Sequence, residues 1–512
     1  MSIIGIDLGT TYCAVATLDD RGQATSLPNH DGEMLTPSAV MLVDSTKAVV
    51  GQAALDVGLE QPDRVATLIK RRMGYDSFPH AVAGRVFRPE TLSAIILRKL
   101  MLDASARIGP VQQCVITVPA YFDDTRRKAT KDAGQIAGLE VLDILDEPSA
   151  AALSYSFQHR EQELKLPQTV LVYDLGGGTF DVTIVRLTPK KFHVLAIKGD
   201  VQLGGRDWDH KVVEHAARLF REKFDEDPLS DPQATNMLYA AAERAKRTLS
   251  KLDQATITCN HAGRKLTVTL TRQEFEALTS ELLTRTRLSV MAAIRDAGMQ
   301  WHQIDRVLMV GGSTHMPSTK KMLLDLSGKM PDQSLAVSEV VARGAALHAG
   351  ILQAKNAARN APQVTSRSPL QDIVEIRVNA HGLGIEVRKD EERLNDQLIP
   401  RNSQLPASAT RVYYTVSPNQ SRVRVRVLQG DAVQAEGCIP VGECWIQGLP
   451  EALPKGSPIQ VKCSVGENGI IEVTALDMTS GRSARAELVR SSGLSADQLA
   501  TESEFVQNLV IE

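Results

Sequence analysis

Residues 170–185 read VLVYDLGGGTFDVTIV, and residues 3–16 read IIGIDLGTTYCAVA; the two are copies of one pattern. Each is an apolar run, then Asp-Leu-Gly, then small or hydroxylated residues, then a second apolar or β-branched run. Such runs on either side of a glycine-bearing break predict two antiparallel strands joined by a tight hairpin. A hairpin of this kind can aim several backbone N–H groups at one anion, as backbone nests do with phosphate. Gly176, Gly177 and Gly178 have no Cβ to keep a phosphate away from the main chain, and Thr10, Thr11 and Thr179 add hydroxyl donors. Asp7 and Asp174 fall at strand ends, where they are expected to face each other across a cleft. Two carboxylates there can hold a hydrated Mg²⁺, the ion that accompanies nucleotide phosphates. One copy alone would pass for an ordinary Gly-rich turn.

A third element, RVLMVGGSTHMP (306–317), predicts a strand followed by Gly311-Gly312 and hydroxyls, suited to a sugar or base edge. A fourth, CVITVPAYF (114–122), predicts a strand ending at Pro119. No GxxxxGK[ST] occurs and no GxGxxG follows a strand, which excludes a P-loop and gives no indication of a dinucleotide fold. Strands alternate with helix-like stretches such as ETLSAIILRKLMLDASARIG (90–109), the pattern of layered α/β lobes.

The length of 512 residues suggests about three or four structural units. With 43% hydrophobic and 23% charged residues, the composition is that of globular domains with real cores. The net charge of −3 argues against nucleic acid or an anionic membrane as the dominant partner. No apolar run approaches the ~18 residues of a membrane span. Met1 leads almost directly into Ile3-Ile4-Gly5-Ile6 without a basic leader, which predicts a cytoplasmic protein. Cys13, Cys114, Cys259, Cys438, Cys444 and Cys463 are scattered without CxxC, so reduced thiols are expected, and a protein-ligated transition metal is not.

At these residues the chain resembles the actin/hexokinase/heat-shock ATPase superfamily, and within it the heat shock protein 70 family, the DnaK-type chaperones. Further stretches carry the resemblance: VPAYFDDTRRKATKDAGQIAGLEVL (118–142), DEPSAAALSY (146–155), ERAKRTLS (243–250) and VGGST (310–314). Towards the C-terminus, PNQSRVRVRVLQGD (418–431) and ENGIIEVTALDMTSG (467–481) are similar to the family's β-sheet peptide-binding domain. The resemblance implies an α/β two-lobed actin-like ATPase, a duplicated ribonuclease-H-like core, followed by an all-β sandwich. The boundaries it implies are an ATPase at 1–356, a linker at 357–378, a sandwich at 379–490 and a tail at 491–512 that begins a lid helix. The polar stretch AKNAARNAPQVTSRSPLQD (354–372), with two prolines, itself reads as an interdomain linker.

By the same resemblance, Asp7, Asp174, Asp181 and Glu147 surround hydrated Mg²⁺ and neighbouring K⁺, with Thr179 beside them. Gly9, Thr10, Thr11, Tyr12, Gly176, Gly177, Gly178 and Thr179 cradle the phosphates of ATP or ADP. Lys70 is implied to position the attacking water and offset charge on the γ-phosphoryl group, which suits a reaction catalysed by positioning and electrostatics. Read alone, Lys70 is a solvated lysine on a helix face.

Glu243, Lys246, Arg247 and Ser250 share one helix face by their spacing. Unaided, that face reads as salt-bridged and solvated; the resemblance gives it to adenosine, with Gly204, Gly205, Gly311, Gly312 and Ser313 opposite. His315 stands where the family often has an adenine-clamping Arg, Arg206 replaces a Glu, and Cys13 stands where a Ser is common.

In SRVRVRV the alternation sets Val423, Val425 and Val427 on one face and Arg422, Arg424 and Arg426 on the other, a half-buried strand. It reads either as an ordinary sandwich strand with a basic edge or as part of a groove. The resemblance implies that Val423 and Val425, with Ile385, Tyr413 and Val416, line a groove for an extended hydrophobic peptide. Arg388 falls where an apolar residue usually arches over that peptide.

Interdomain coupling is implied at Pro119, Arg127, Asp143 and Arg377. Asp143 and Arg377 reverse the family's usual charges together, so their mutual attraction survives while an ordinary J-domain aspartate meets a like charge. A specialised J-domain partner, or none, is therefore expected, alongside a nucleotide exchange factor. The chain ends at 512, soon after SSGLSADQL, where only the start of the family's helical lid fits; in this it resembles the shorter HscC-like bacterial paralogues. The expected function is an ATP-dependent chaperone for unfolded segments. The alternatives are a non-hydrolysing cochaperone or exchange factor, and a small-molecule kinase of the same superfamily.

Overall fold

Each copy of the repeated pattern forms a hairpin. Ser2–Asp7 pairs antiparallel with Tyr12–Leu18, and Gln168–Leu175 pairs antiparallel with Phe180–Leu187, setting Asp174 opposite Asp181. Each hairpin gains a third antiparallel strand, Ala24–Leu27 in one half and Lys191–Asp200 in the other. Each also has a parallel neighbour on its first strand, Val111–Val118 or Arg306–Val310. Parallel neighbours need crossovers, and helix Pro89–Ile108, which covers the predicted 90–109 stretch, belongs to the first of them. The computed structural model that shows this describes residues 2–19, 21–158, 167–188, 190–332, 336–360, 370, 372–389, 391–420, 422–447, 453–467, 469–479, 483–484, 489–490 and 493–512.

Helix Val340–Asn360 packs on the first sheet and on helix Glu147–Gln158, which in turn packs on the second hairpin. The two helices therefore form the layer between the lobes. They meet backbone to backbone: a Cβ on Gly344 would lie 1.9 Å from the Ala150 carbonyl oxygen. Helices Gly205–Phe224 and Pro232–Leu249 and the hairpin Gln254–His261/Arg264–Thr271 complete the second lobe around buried Trp208 and Phe220.

Helix Val340–Asn360 continues through residues 354–360, which the polar composition had suggested for the linker. Small residues such as Ala354 and Ala357 carry good helix propensity, and that outweighs the polar pattern. Residues 361–369 and 371 of the predicted linker lie outside the described residues. Val374–Ile376 then adds to the outer edge of the second lobe's sheet, parallel to Lys191–Asp200.

Two facing sheets follow. One contains Leu383–Lys389, Glu392–Ile399, Arg422–Gln429 and Ile439–Gln447; the other contains Ala407–Tyr414, Pro458–Val465 and Ile471–Asp477. Val425, Val427, Val461 and Val473 fill the space between them. Two outward arginines of Arg422–Gln429 meet carboxylates: Arg424 Nε donates to Glu443 at 2.8 Å and Arg426 Nη1 to Glu386 at 2.7 Å.

The C-terminal residues return to the first lobe. Ser495 and Gln498 form a reciprocal cap on helix Ala496–Asn508, which packs on helices Asp124–Ile136 and Pro89–Ile108. Val506 and Leu509 join the first lobe's core, and Val510–Ile511 pairs parallel with Lys47–Val50. Among the described residues no helix is long and apolar enough to cross a membrane. All six cysteines are buried and unbridged.

Candidate functional site

A cleft of about 1320 Å³ opens between the lobes. Asp7 and Asp174 both line it, one from each hairpin, together with Lys70 and Glu147. The two hairpins approach so closely that side chains would not fit between them. A Cβ on Gly177 would lie 2.6 Å from the Thr11 side chain, and one on Gly178 would lie 2.4 Å from that of Thr10. Two glycines in one hairpin thus seat two threonines of the other, and Gly9, Thr10, Thr11, Tyr12, Gly176, Gly177 and Thr179 share the cleft wall. Gly178 sits just behind it.

The charges at the base are concentrated. Burial drives the Asp7 carboxyl up to about 7, with Glu147 repelling it further and Lys70 only partly compensating. Burial also holds Asp174 and Asp181 well above the ordinary carboxylate range, with Glu147 again adding to the rise. Lys70 is 5% exposed and ion-paired with Glu147, contrary to the solvated lysine that its local sequence suggests. Its burial opposes the charge, yet Glu147 and Asp7 outweigh that and raise its pKa. Asp7, Asp174 and Glu147 thus line the base against the single Lys70 ammonium, and a further cation there would favour their ionised forms. Among the described residues no three His, Cys, Asp or Glu side chains converge as direct metal ligands.

On the second lobe, Glu243, Lys246, Arg247 and Ser250 all face the cleft. Lys246 is buried and bonded to Asp209 at 2.8 Å and to the Gly205 carbonyl at 3.0 Å, while Arg247 donates to Glu243 at 2.6 Å. Arg247 Nη2 also reaches Tyr12 Oη across the cleft, at 3.1 Å. Gly311, Gly312, Ser313 and His315 line the facing wall, with Ser313 Oγ donating to the Gly176 carbonyl at 2.9 Å. Gly204 and Gly205 lie behind the hairpin and support it: Gly205 N donates to the Gly176 carbonyl at 2.9 Å.

Asp181 faces away from the cleft opening and accepts from Tyr121 N at 3.0 Å. Tyr121 follows Pro119, which ends its strand, and its ring lies 4.1 Å from that of His381 in the sandwich segment. The same histidine bonds the Tyr121 carbonyl at 2.9 Å. Arg127 is ion-paired with Asp146 and donates to the Ala120 carbonyl at 3.1 Å. Arg377 Nη2 donates to Asp143 Oδ2 at 2.8 Å, with buried His348 bridging Asp143 (2.8 Å) and Glu375 (2.9 Å). Sequence reasoning missed His348, Glu375, His381 and Asp209. The first two had a signal: Glu375 and Arg377 share a strand face at period two, and His348 interrupts a run of small residues, GAALHAG.

The six residues assigned to a peptide groove are not gathered into one open surface. Ile385 (4% exposed) and Val425 (3%) are interior to the sandwich, because both sheets turn their apolar faces inward. Val423 and Tyr413 pack at the margin, with Tyr413 Oη donating to Asp396 at 2.8 Å. Val416 is 73% exposed and Arg388 is exposed on the edge of its strand.

A duplicated two-lobed α/β core with an interlobe cleft, followed by a β-sandwich, is the arrangement of an actin-like ATPase fold carrying a β-sandwich, with which this structure is consistent. A family model described as Hsp70 protein matches residues 3–508, and the chain belongs to the Hsp70 family. That family consists of ATP-dependent chaperones, which use nucleotide and Mg²⁺ and bind unfolded peptides.

Proposed function

We propose that this chain binds ATP between its two Asp-Leu-Gly hairpins, hydrolyses it, and uses the cycle to control binding of extended apolar segments by the sandwich. The observation that supports this most is the contact of Thr10 and Thr11 with Gly178 and Gly177, which leaves one cradle open to both halves. Asp7 and Asp174 would hold Mg²⁺ through water, and the ion would supply electrostatic stabilisation of the phosphates. Lys70, buried beside Glu147, positions a water for attack on the γ-phosphorus and offsets the charge that develops there. The bond from phosphorus to the ADP oxygen breaks as the new bond to water forms. Glu243 and Lys246 hold the ribose, and Arg247 covers one face of the base; His315 takes the other side in place of an arginine.

The arrangement described has the sandwich docked: Tyr121 meets His381, and Val374–Ile376 extends the second lobe's sheet. Asp181, in the catalytic group, bonds the backbone of Tyr121, so a change at the phosphates reaches the sandwich through two residues. Peptide capture then draws on Val416, Tyr413 and Val423 at the surface, while Ile385 and Val425 support them from the sandwich core. The pairing of Asp143 with Arg377 favours a specialised J-domain partner, and the subtype is a specialised HscC-like paralogue acting in the cytoplasm.

Single-turnover phosphate release from ATP tests the reading. Wild type is expected to hydrolyse slowly and Lys70→Ala about 10²-fold more slowly with nucleotide still bound; equal, negligible rates would point to a non-hydrolysing binding module.

A further inference from the structure

We infer that Arg71 is a positioning residue that holds Lys70 and the second hairpin in one frame, so that nucleotide leaves only when its guanidinium lets go. The inference rests on the nucleotide reading above. Ile69–Arg72 is a single tight turn in which adjacent side chains take opposite duties. Lys70 lines the cleft and pairs with Glu147; Arg71 does not line it and points past the hairpin into the second lobe. Its Nε donates to the Gly178 carbonyl at 2.9 Å. Its Nη1 donates to Asp207 Oδ1 at 3.2 Å, and Nη2 pairs with Asp207 Oδ2, which makes the contact bidentate.

Asp207 is itself committed. It accepts from Gly204 N at 2.7 Å in the first turn of helix Gly205–Phe224, and that turn is zipped to the hairpin by Arg206 N donating to the Gly177 carbonyl at 2.9 Å. One guanidinium therefore joins three parts: the turn carrying Lys70, the phosphate hairpin, and the helix that backs it. A planar fork satisfies this geometry and an ammonium does not. The turn is also held under strain, since Leu68 at its start has φ +57°, a conformation that a bulky residue adopts only when its surroundings impose it. Two other bonds between the lobes, Arg247 to Tyr12 and Asn236 to the Gly58 carbonyl at 3.1 Å, do not involve the turn that carries Lys70. Opening the lobes must break the Arg71 contacts, and breaking them removes the frame that fixes Lys70.

The test is stopped-flow release of N-methylanthraniloyl-ADP from the full chain, with single-turnover ATP hydrolysis alongside. Arg71→Gln and the near-isosteric Asp207→Asn are each expected to speed release about tenfold. The double variant should release no faster than the faster single, because both remove the same bond. Arg71→Lys should recover only part of the loss, and hydrolysis of already bound ATP should slow in the same variants, because Lys70 loses the frame that holds it. Wild-type binding with release unchanged in both single variants, or with additive effects in the double, overturns the assignment alone. Failure of the wild type to bind the probe overturns the nucleotide reading and this assignment with it.

Discussion

Arg377 Nη2 and Asp143 Oδ2 lie 2.8 Å apart in a buried contact, and this pair joins the segment leading into the sandwich to an edge strand of the first lobe. Burial alone would raise the Asp143 carboxyl; the guanidinium of Arg377 and the bond from His348 outweigh it and hold the group well below the usual carboxylate range. Removing one partner leaves the other charge buried, at a cost of about 3 kcal/mol or more. Arg377→Asp should therefore undock the Val374–Ile376 strand, seen as faster amide exchange at Val374, whose N–H donates to the Lys190 carbonyl at 2.9 Å. Asp143→Arg combined with Arg377→Asp should recover most of the protection. No recovery would mean that the pair does not act as a unit.

Docking should also be pH-dependent, with a histidine on each limb. Burial opposes the charge on His348, but Glu375 and Asp143 outweigh it, against opposition from Arg377, and its pKa rises above 6.5. Its contribution is fully present below about 6.5 and is lost as pH rises through the docked value. His381 is shifted down by burial, against its bond to the Tyr121 carbonyl and the smaller pulls of Asp123 and Asp431, with Arg127 reinforcing the shift. It docks neutral, so docking weakens as pH falls below 6.5. Docking measured by the same exchange between pH 5 and 9 should peak near neutrality. His348→Gln should flatten the alkaline limb, and His381→Gln the acid one.

The C-terminal segment is a strap on the first lobe. Val510 N donates to the Thr46 carbonyl at 2.8 Å, and Val50 N donates to the Glu512 carbonyl at 2.8 Å. Phe505 packs at 6.0 Å from Phe87, with the Arg85 guanidinium 4.0 Å from its ring centre. Leu509→Ala removes a buried anchor worth about 2 kcal/mol. The Val50 amide should then exchange roughly 10–30-fold faster while the strands of the second lobe keep their protection.

How much of this was legible in the chain depends on the range of the physics involved. The hairpins could be read because Asp-Leu-Gly between two apolar runs is a local pattern, repeated. The inward valines of Arg422–Gln429 followed from period two. The burial of Lys70 did not, since IKRRMG looks solvated and only contacts with Glu147, distant in sequence, reverse that. Ile385 and Val425 look the same whether they line a groove or a core, because apolarity does not say which neighbour covers it. The strap escaped notice because Val510–Ile511 is too short to read as a strand without the edge it joins.

Glu90 offers a test of buried charge outside the cleft. It is 1% exposed, its Oε2 has no hydrogen-bond partner, and burial pushes its carboxyl up to about 7, against the bond from its own backbone N–H and the charge of Arg88, with Asp132 and Asp76 adding smaller upward pushes. A raised acid stabilises the fold below its unfolded value near 4.5 and loses that contribution as pH climbs through 7. Glu90→Gln should therefore raise the unfolding free energy at pH 8, by up to about 3 kcal/mol, and change it little at pH 4.5.

The account stands on two hairpins gripping one triphosphate, and calorimetric titration of MgATP into wild type and Gly178→Val measures that grip. A side chain at 178 would collide with Thr10, whose nearest atoms lie 2.4 Å from the position of its Cβ. Wild type should bind one ATP per chain, and the valine variant, still folded, should bind about 10- to 100-fold more weakly. Equal affinity in the two proteins, or no binding by wild type, would contradict the account.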